Sequence, residues 1–282
     1  MTPTITSVIA GFFVLLVAFR LIELLRPRAQ RLRVLRRGFW TDLTYWIFAP
    51  LATRLVTSVG VAIALMPVAW SIYGRIDRDL IMHGYGPVSQ LPLWAQAIGI
   101  LLVGEVVGYW MHRWFHTARL WKFHAVHHSS VDLDWLSAVR VHPANDMLMR
   151  IASTVPILLL GFAPVAVAGI MPLLTLFAIL IHANVDWDWG PLRGVIASPR
   201  FHRWHHADES AAQDKNFAGL LPVIDRIFGT YYMPKDARPE SFGTATPVPA
   251  GLLRQLAFPF RPARTQEVHT GARSACSRRT QA

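Results

Sequence analysis

The sequence predicts an all-α integral membrane protein with about four to five apolar helices and a cytoplasmic helical cap that carries histidine boxes. Three observations predict it. Of the 282 residues 53% are hydrophobic and only 16% are charged, against about 25% charged in ordinary soluble domains. Several apolar runs reach or approach the roughly 20 residues that a helix needs to cross a bilayer. Polar segments alternate with these runs, and most of the 12 histidines fall in those segments. The apolar content excludes disorder for most of the chain. A disulfide scaffold is excluded as well, because Cys276 is the only cysteine.

The elements follow in order. The stretch from Ile5 to Leu25 is apolar apart from Arg20 and Glu23. Its basic residues follow the apolar run and no small-residue cleavage site comes after it, so it reads as an uncleaved span and not as a signal peptide. Arg26, Arg28, Arg31, Arg33, Arg36 and Arg37 then form a basic loop, which the positive-inside rule places in the cytoplasm. A second apolar region from Phe39 to Trp70 is interrupted by Asp42, Pro50 and Arg54. It reads as one span from about Leu51, preceded by an aromatic interfacial stretch. Residues 71–91 hold Gly, Pro and mixed charge and read as an outside loop.

A third span starts near Leu93 and runs towards His116, and 117–147 is aqueous. Met147–Phe162 and Pro164–Ile181 read as a hairpin with a tight turn at Gly161-Phe162-Ala163-Pro164. From about Asn184 the chain is polar. The expected division is membrane spans with a basic cytoplasmic loop over 1–90, a histidine-bearing domain over 91–235, and a disordered basic tail over 236–282. Counting crossings from the basic loop puts residues 112–142, His182 and 202–206 on the cytoplasmic face. The net charge of +11 points to no nucleic-acid partner, because the arginines do not interleave with a reader motif.

The histidines carry the chemistry. His112 and His116 stand at i and i+4, one helical face one turn apart. His124, His127 and His128 stand at i, i+3 and i+4, and His202, His205 and His206 repeat that spacing. So many imidazoles close together need a partner for every ring nitrogen, and protonated rings would repel one another. A metal centre resolves both problems. The set exceeds the three or four ligands of one zinc site, and no box holds the His-Glu-x-x-His of a zinc protease. Two metals sharing the set is the economical reading. All-nitrogen sites leave positive charge uncompensated, so supporting carboxylates are expected among Asp132, Asp134, Asp186, Asp188 and Asp208. Glu105, seven residues before His112 on the same helix face, is an intramembrane candidate for a supporting role or for a bond to a histidine. His83 and His269 read as ordinary hydrogen-bonded histidines.

The order His-x3-His, His-x2-His-His, His-x2-His-His on a small multi-span protein resembles the fatty acid hydroxylase and sterol desaturase superfamily. Arg140-Val141-His142-Pro143, His182-Ala183-Asn184, Asp214-Lys215-Asn216-Phe217 and Asp225-Arg226-Ile227-Phe228-Gly229-Thr230 are similar to further segments of that family, so the resemblance covers roughly residues 90–235. It implies a non-haem centre of two iron ions that activates O2 and attacks an unactivated C–H bond of a lipid. The implied ligands are His112, His116, His124, His127, His128, His182, His202, His205 and His206. His142 is a tenth candidate, as ligand or support, and Asn184 and Asn216 join the supporting candidates. Some members carry a His-x3-His pair where this chain has only His182, with Ala178 and Asp186 four residues to either side.

Redox-inert zinc in these boxes would mean mis-metallation, because it does not activate O2. No flavin, haem or nucleotide motif is present, so the electrons are expected from a separate reductase, ferredoxin or cytochrome b5-like donor. Trp110, Trp114, Trp135, Trp187, Trp189 and Trp204 lie near the boxes and read as interface anchors, with the lining of a lipid tunnel as the sharper alternative. The rival outcomes on the same centre are desaturation and ether-lipid cleavage. A non-enzymatic membrane metal-binding protein is the alternative from another class, but it would spread histidines along the spans instead of gathering them at one face.

Overall fold

The computed structural model describes residues 5–26, 29–74, 82–245 and 247–261. Among these it is all-helical, with one isolated bridge between Ala207 and Phe242 and no strand. Six long or histidine-bearing helices come first: α1 (Ile5–Leu25), α2 (Phe39–Tyr73), α3 (Leu93–Phe115), α4 (Trp121–His128), α5 (Pro143–Leu159) and α6 (Pro164–His182). Three shorter ones follow: α7 (Pro199–His205), α8 (Val223–Ile227) and α9 (Leu252–Ala257). Among the described residues, α3 and α6 are long and apolar enough to cross a membrane.

Helix α5 packs against both α2 and α3, and α6 packs against α3 and against a 3-10 turn over Trp135–Val139. The α5–α6 turn is as tight as its sequence predicts. Gly161 has φ +90°, and its carbonyl accepts from the Tyr85 N–H at 3.1 Å. A Cβ at Gly161 would run into the Tyr85 carbonyl, so only glycine fits. Gln96 of α3 closes the turn by accepting from the Ala163 N–H at 3.0 Å.

Trp135 joins the helices to the cap. Its ring stacks on Phe19 of α1 at 5.4 Å and meets Trp46 of α2 edge-on at 5.4 Å. Trp135 and Trp204 are therefore buried core residues and not interface anchors, whereas Trp110 and Trp114 are exposed. Two further expectations change. The aromatic stretch before Leu51 is continuous with the helix after it, so α2 is one helix of 35 residues that runs through Pro50. Proline removes one backbone donor. The turns before it are held from outside, by ion pairs to Asp42 and by the Trp46 indole donating to the Leu136 carbonyl at 2.9 Å. The disordered tail expected from 236 does not begin there. Arg238 bonds Asp186, Phe242 is buried and α9 packs against α2, so described residues up to 261 belong to the fold. Residues 262–282, His269 and part of the 71–91 loop lie outside the described residues.

The basic loop is tied directly to the cap. Arg36 pairs with Asp42 at 2.7 Å and with Asp134, and Arg37 pairs with Asp132 at 2.7 Å. Asn184, just past α6, exchanges two 2.8 Å hydrogen bonds with the Gln30 backbone and donates its own N–H to Glu23. Loop and cap therefore share one face of the molecule.

Candidate metal centre

Two cages of imidazoles sit side by side. His112, His116, His124, His128 and His205 each offer a ring nitrogen, all within 4.8 Å of one another, and His127, His182, His202 and His206 do the same. The helical spacing explains the division. On α4, His124 and His128 lie one turn apart and face the first cage, while His127 between them turns to the second. The third box inverts this: His202 and His206 face the second cage and His205 turns to the first. Helix α3 supplies His112 and its C-cap residue His116, and α6 supplies His182 at its last turn. The cages touch, with the His128 and His206 rings stacked at 4.3 Å.

Hydrogen bonds fix which nitrogen carries the proton. His112 Nδ1 lies 2.7 Å from the Phe217 carbonyl, His127 Nδ1 3.2 Å from that of Arg140, His182 Nδ1 2.7 Å from that of Ala178, and His205 Nδ1 2.8 Å from that of Lys215. His124 Nδ1 lies 2.8 Å from Asn145 Oδ1. A carbonyl oxygen only accepts, so each of these Nδ1 atoms donates, and each neutral ring is left with a bare lone pair at Nε2. Those lone pairs face one another: His112 Nε2 to His124 Nε2 at 3.0 Å, and His127 Nε2 to His182 Nε2 at 3.3 Å. Two lone pairs at that distance repel unless a cation lies among them. His116 Nε2 and His205 Nε2 are buried without any hydrogen-bond partner, as such ligand atoms would be.

Burial, first, and the neighbouring imidazoles, second, hold His124, His127, His128, His202, His205 and His206 well below the ordinary imidazole value. These rings are neutral at pH 7, as metal ligation requires. The donor set thus fits two metal ions.

The supporting carboxylates expected from the sequence are occupied elsewhere. Asp132 and Asp134 bind Arg37 and Arg36, and Asp134 also caps the 135–139 turn. Asp186 binds Arg200 at 2.6 Å and Arg238 at 2.8 Å, Asp188 binds Arg200 at 2.9 Å, and Asp208 is exposed. Glu105 accepts from the backbone N–H groups of Leu220 and Leu221 at 2.8 and 3.0 Å and pins that loop to α3. Asn184 is the tie to Gln30. His142 belongs to neither cage. Its Nδ1 accepts from the Ala144 N–H at 3.1 Å as the cap of α5, and its Nε2–H donates to the Leu256 carbonyl at 3.1 Å, so both ring nitrogens are committed.

Asn216 acts one step removed. At φ +60° it donates to the Phe201 and Tyr232 carbonyls and accepts from the Tyr232 N–H at 2.7 Å. This fixes the carbonyls on either side of it, Lys215 and Phe217, which orient His205 and His112. Asp225, fully buried, accepts from the Phe217 and Ala218 N–H groups at 2.8 and 2.9 Å and holds the same segment.

Sequence reasoning missed two residues. Asn145, which orients His124, stands two positions after the His-Pro at the start of α5. Asp214, 73% exposed, lies 3.3 Å from His116 Nδ1 at the solvent edge of the first cage. Its signal was its place at the head of the Asp214-Lys215-Asn216-Phe217 segment already singled out.

Comparison with known proteins agrees with the geometry. A family model described as fatty acid hydroxylase matches residues 97–230, which contain every caged histidine. Over these residues the chain carries a fatty acid hydroxylase domain. It is 33% identical to ornithine lipid hydroxylase OlsE of Rhizobium tropici over 76% of this chain and 66% of that protein. It is 35% identical to alkylglycerol monooxygenase of Danio rerio over 55% of this chain and 34% of that protein. To methylsterol monooxygenase 1 of Gallus gallus it is 28% identical over 50% of this chain and 49% of that protein. The chain therefore spans less than two thirds of each of these relatives. No solved structure matches it.

An apolar cavity of about 1020 Å³ lies among α2, α3, α5 and α6. A smaller one of about 320 Å³ shares Arg150, Met171, Leu174, Thr175 and Ile179 with it and continues past Val139, Val141 and Ala178. Ala178 is the residue whose carbonyl holds His182, and Val139 and Val141 flank the one that holds His127. The cavities therefore lead from the apolar helices to the backbone that carries the second cage.

Proposed function

We propose that the chain is a membrane-bound lipid monooxygenase. In this reading it hydroxylates an unactivated C–H bond of a fatty acyl, sterol or related lipid, using O2 and two electrons from an external donor. One observation carries it: bare Nε2 lone pairs face one another in two adjoining cages, in a chain with a fatty acid hydroxylase domain. His112, His116, His124, His128 and His205 would hold one iron ion, and His127, His182, His202 and His206 the other. Iron in these cages supplies O2 activation, which redox-inert zinc in the same nitrogens does not.

The chain's own residues do the rest. Backbone carbonyls fix the donating Nδ1 of His112, His127, His182 and His205, and the Asn145 side chain that of His124. The second cage has one protein nitrogen fewer than the first, where some members of the family would add a histidine four residues to one side of His182, at the position of Ala178 or Asp186, and it lies on the cavity side. The apolar cavity admits an alkyl chain and keeps water from the reacting carbon. The cap would lie on the cytoplasmic face, with four to five apolar helices in the bilayer and 91–235 as the catalytic domain. The donor, a reductase, ferredoxin or cytochrome b5-like protein, would approach the aqueous edge at His116 and Asp214.

Ether-lipid cleavage is a second outcome, favoured by the similarity to alkylglycerol monooxygenases; desaturation is a third. Product mass separates them: a gain of one oxygen, cleavage into two fragments, or a loss of two hydrogens. His127→Ala and His205→Ala, one from each cage, should each abolish turnover and lower metal content while the protein still inserts in membranes. Full activity in both variants would remove the dimetal reading.

A further inference from the structure

The larger apolar cavity changes character along its length. Helices α3 and α6 run beside it towards the cages, and α5 runs away from them to the α5–α6 turn. Nearer the cages its border includes polar side chains: Glu105 of α3, Arg150, Ser153 and Thr154 of α5, and Thr175 of α6. Nearer the turn these helices border it, among the described residues, with no polar side chain; Ile100, Ile157, Leu158 and Val167 stand there.

The apolar end is closed. Ile100 and Ile157 border the cavity and also pack with Phe162, Ala163 and Ala166, none of which reaches it. All five are buried. The Phe162 ring lies directly on the α3 backbone at Gly99, where an added Cβ would come within 2.6 Å of it. A close-packed cluster of this kind leaves no room for a chain to pass, so it is a floor. From the floor towards the cages the cavity runs along α5 from Leu158 to Met149 and along α6 from Pro164 to Ile179, about 14 and 22 Å of helix rise. One leaflet of a bilayer is about 15 Å deep, half of the hydrocarbon core, so the space matches a single lipid tail.

A polar lipid group at the floor would be buried without partners, which is costly, whereas an alkyl end there loses nothing. The gradient therefore admits the lipid tail first. We propose that the methyl end of the substrate's alkyl chain seats on the floor made by Ile100, Ile157 and Phe162, and that this floor sets the longest chain accepted. The proposal rests on the reading of the cavities as the substrate's site.

The test is equilibrium binding to the full chain as purified in detergent, with no reductant present so that nothing turns over. Saturated methyl esters from laurate to behenate compete against a fluorescent acyl probe, each expressed as its mole fraction in the micelle. A chain moving from micelle to cavity passes between two apolar phases, so each added CH2 gains little while it fits. Past the floor it must fold back or force the packing apart, and binding should fall about tenfold. In Ile157→Ala, which removes part of the floor, the fall should come at a longer ester. In Val167→Phe, which narrows the space above the floor, it should come at a shorter one. Methyl laurate bound as tightly as by the wild type checks folding in both. Binding with no fall over the series, or a fall at the wild-type length in both variants, overturns the proposal. Ser153→Phe, which fills the middle of the cavity, separates this failure from that of the reading beneath it. If it leaves every ester bound as before, the cavity is not the lipid's site and the proposal falls with it. If it weakens them all while the floor variants move nothing, only the floor is wrong. The oxygenase chemistry is tested apart from both, by metal content and products.

Discussion

Main-chain carbonyls decide how the caged histidines behave. Phe217, Arg140, Ala178 and Lys215 each accept one Nδ1–H, and that single proton assignment turns the opposite nitrogens into ligands. Asn216 controls two of these carbonyls through three hydrogen bonds. Asn216→Ala should therefore weaken metal binding about 10- to 100-fold, the usual cost of losing support behind a ligand, although no ligand atom is removed. Metal titration of the stripped variant checks this. The boxes were legible in the sequence because i, i+3 and i+4 spacing puts imidazoles on adjoining helix faces whatever lies around them. Much of the support was not legible, because behind His112, His127, His182 and His205 it comes from backbone oxygens that carry no residue-type signal. Five acidic residues near the boxes suggested carboxylate support, but arginines take Asp132, Asp134, Asp186 and Asp188. His142 looked like a ligand because it shares a segment with the family's motif. A proline after it starts a helix, and a helix start needs a cap.

At the scale of elements, α4 and α7 carry the same box but present it in opposite senses, so each helix contributes to both cages. Neither short helix would hold its histidines in place alone. The polar anchors around them do so, and one of the most enclosed is Asp42 near the start of α2. It is fully buried, with Arg36 at 2.7 Å and Arg140 at 2.5 Å. The sequence presented Asp42 only as an interruption in an apolar run, since its partners lie in the basic loop and beyond the second box. Removing Asp42 leaves the buried Arg140 without its carboxylate partner and Arg36 with Asp134 alone, and loss of one member of a buried ion pair costs about 3–5 kcal/mol. Asp42→Ala should lower thermal stability by that order and loosen the Arg140 carbonyl that orients His127. Thermal unfolding in detergent together with metal content would show both effects. Pro50 misled in the opposite direction: a proline in an apolar run reads as a boundary, but packing and ion pairs before it carry α2 through.

For the whole molecule, the fold places a basic loop, three histidine segments and the end of the hairpin on one face, with apolar helices behind them. Salt bridges join Arg36 and Arg37 to the segment between the second box and α5, so the loop and the cap cannot lie on opposite sides of a membrane. Cysteines at Leu35 and Glu209, in a Cys276→Ser background, should both react with an impermeant thiol reagent from the cytoplasmic side and neither from outside. Labelling of both from outside would invert the proposed orientation while keeping the shared face. The all-helical class was readable from composition and apolar runs. The docking of α1 on Trp135 and the order in residues 236–261 were not, because both depend on contacts between distant parts of the chain.

If the two cages are a dimetal centre, protein made in iron-replete cells and purified in detergent without chelators should carry about two irons per chain, one for each histidine cage, measured as metal identity and stoichiometry, with about half that content in His127→Ala and in His205→Ala. Well-folded protein that binds no metal, or variants that keep the full complement, would contradict it.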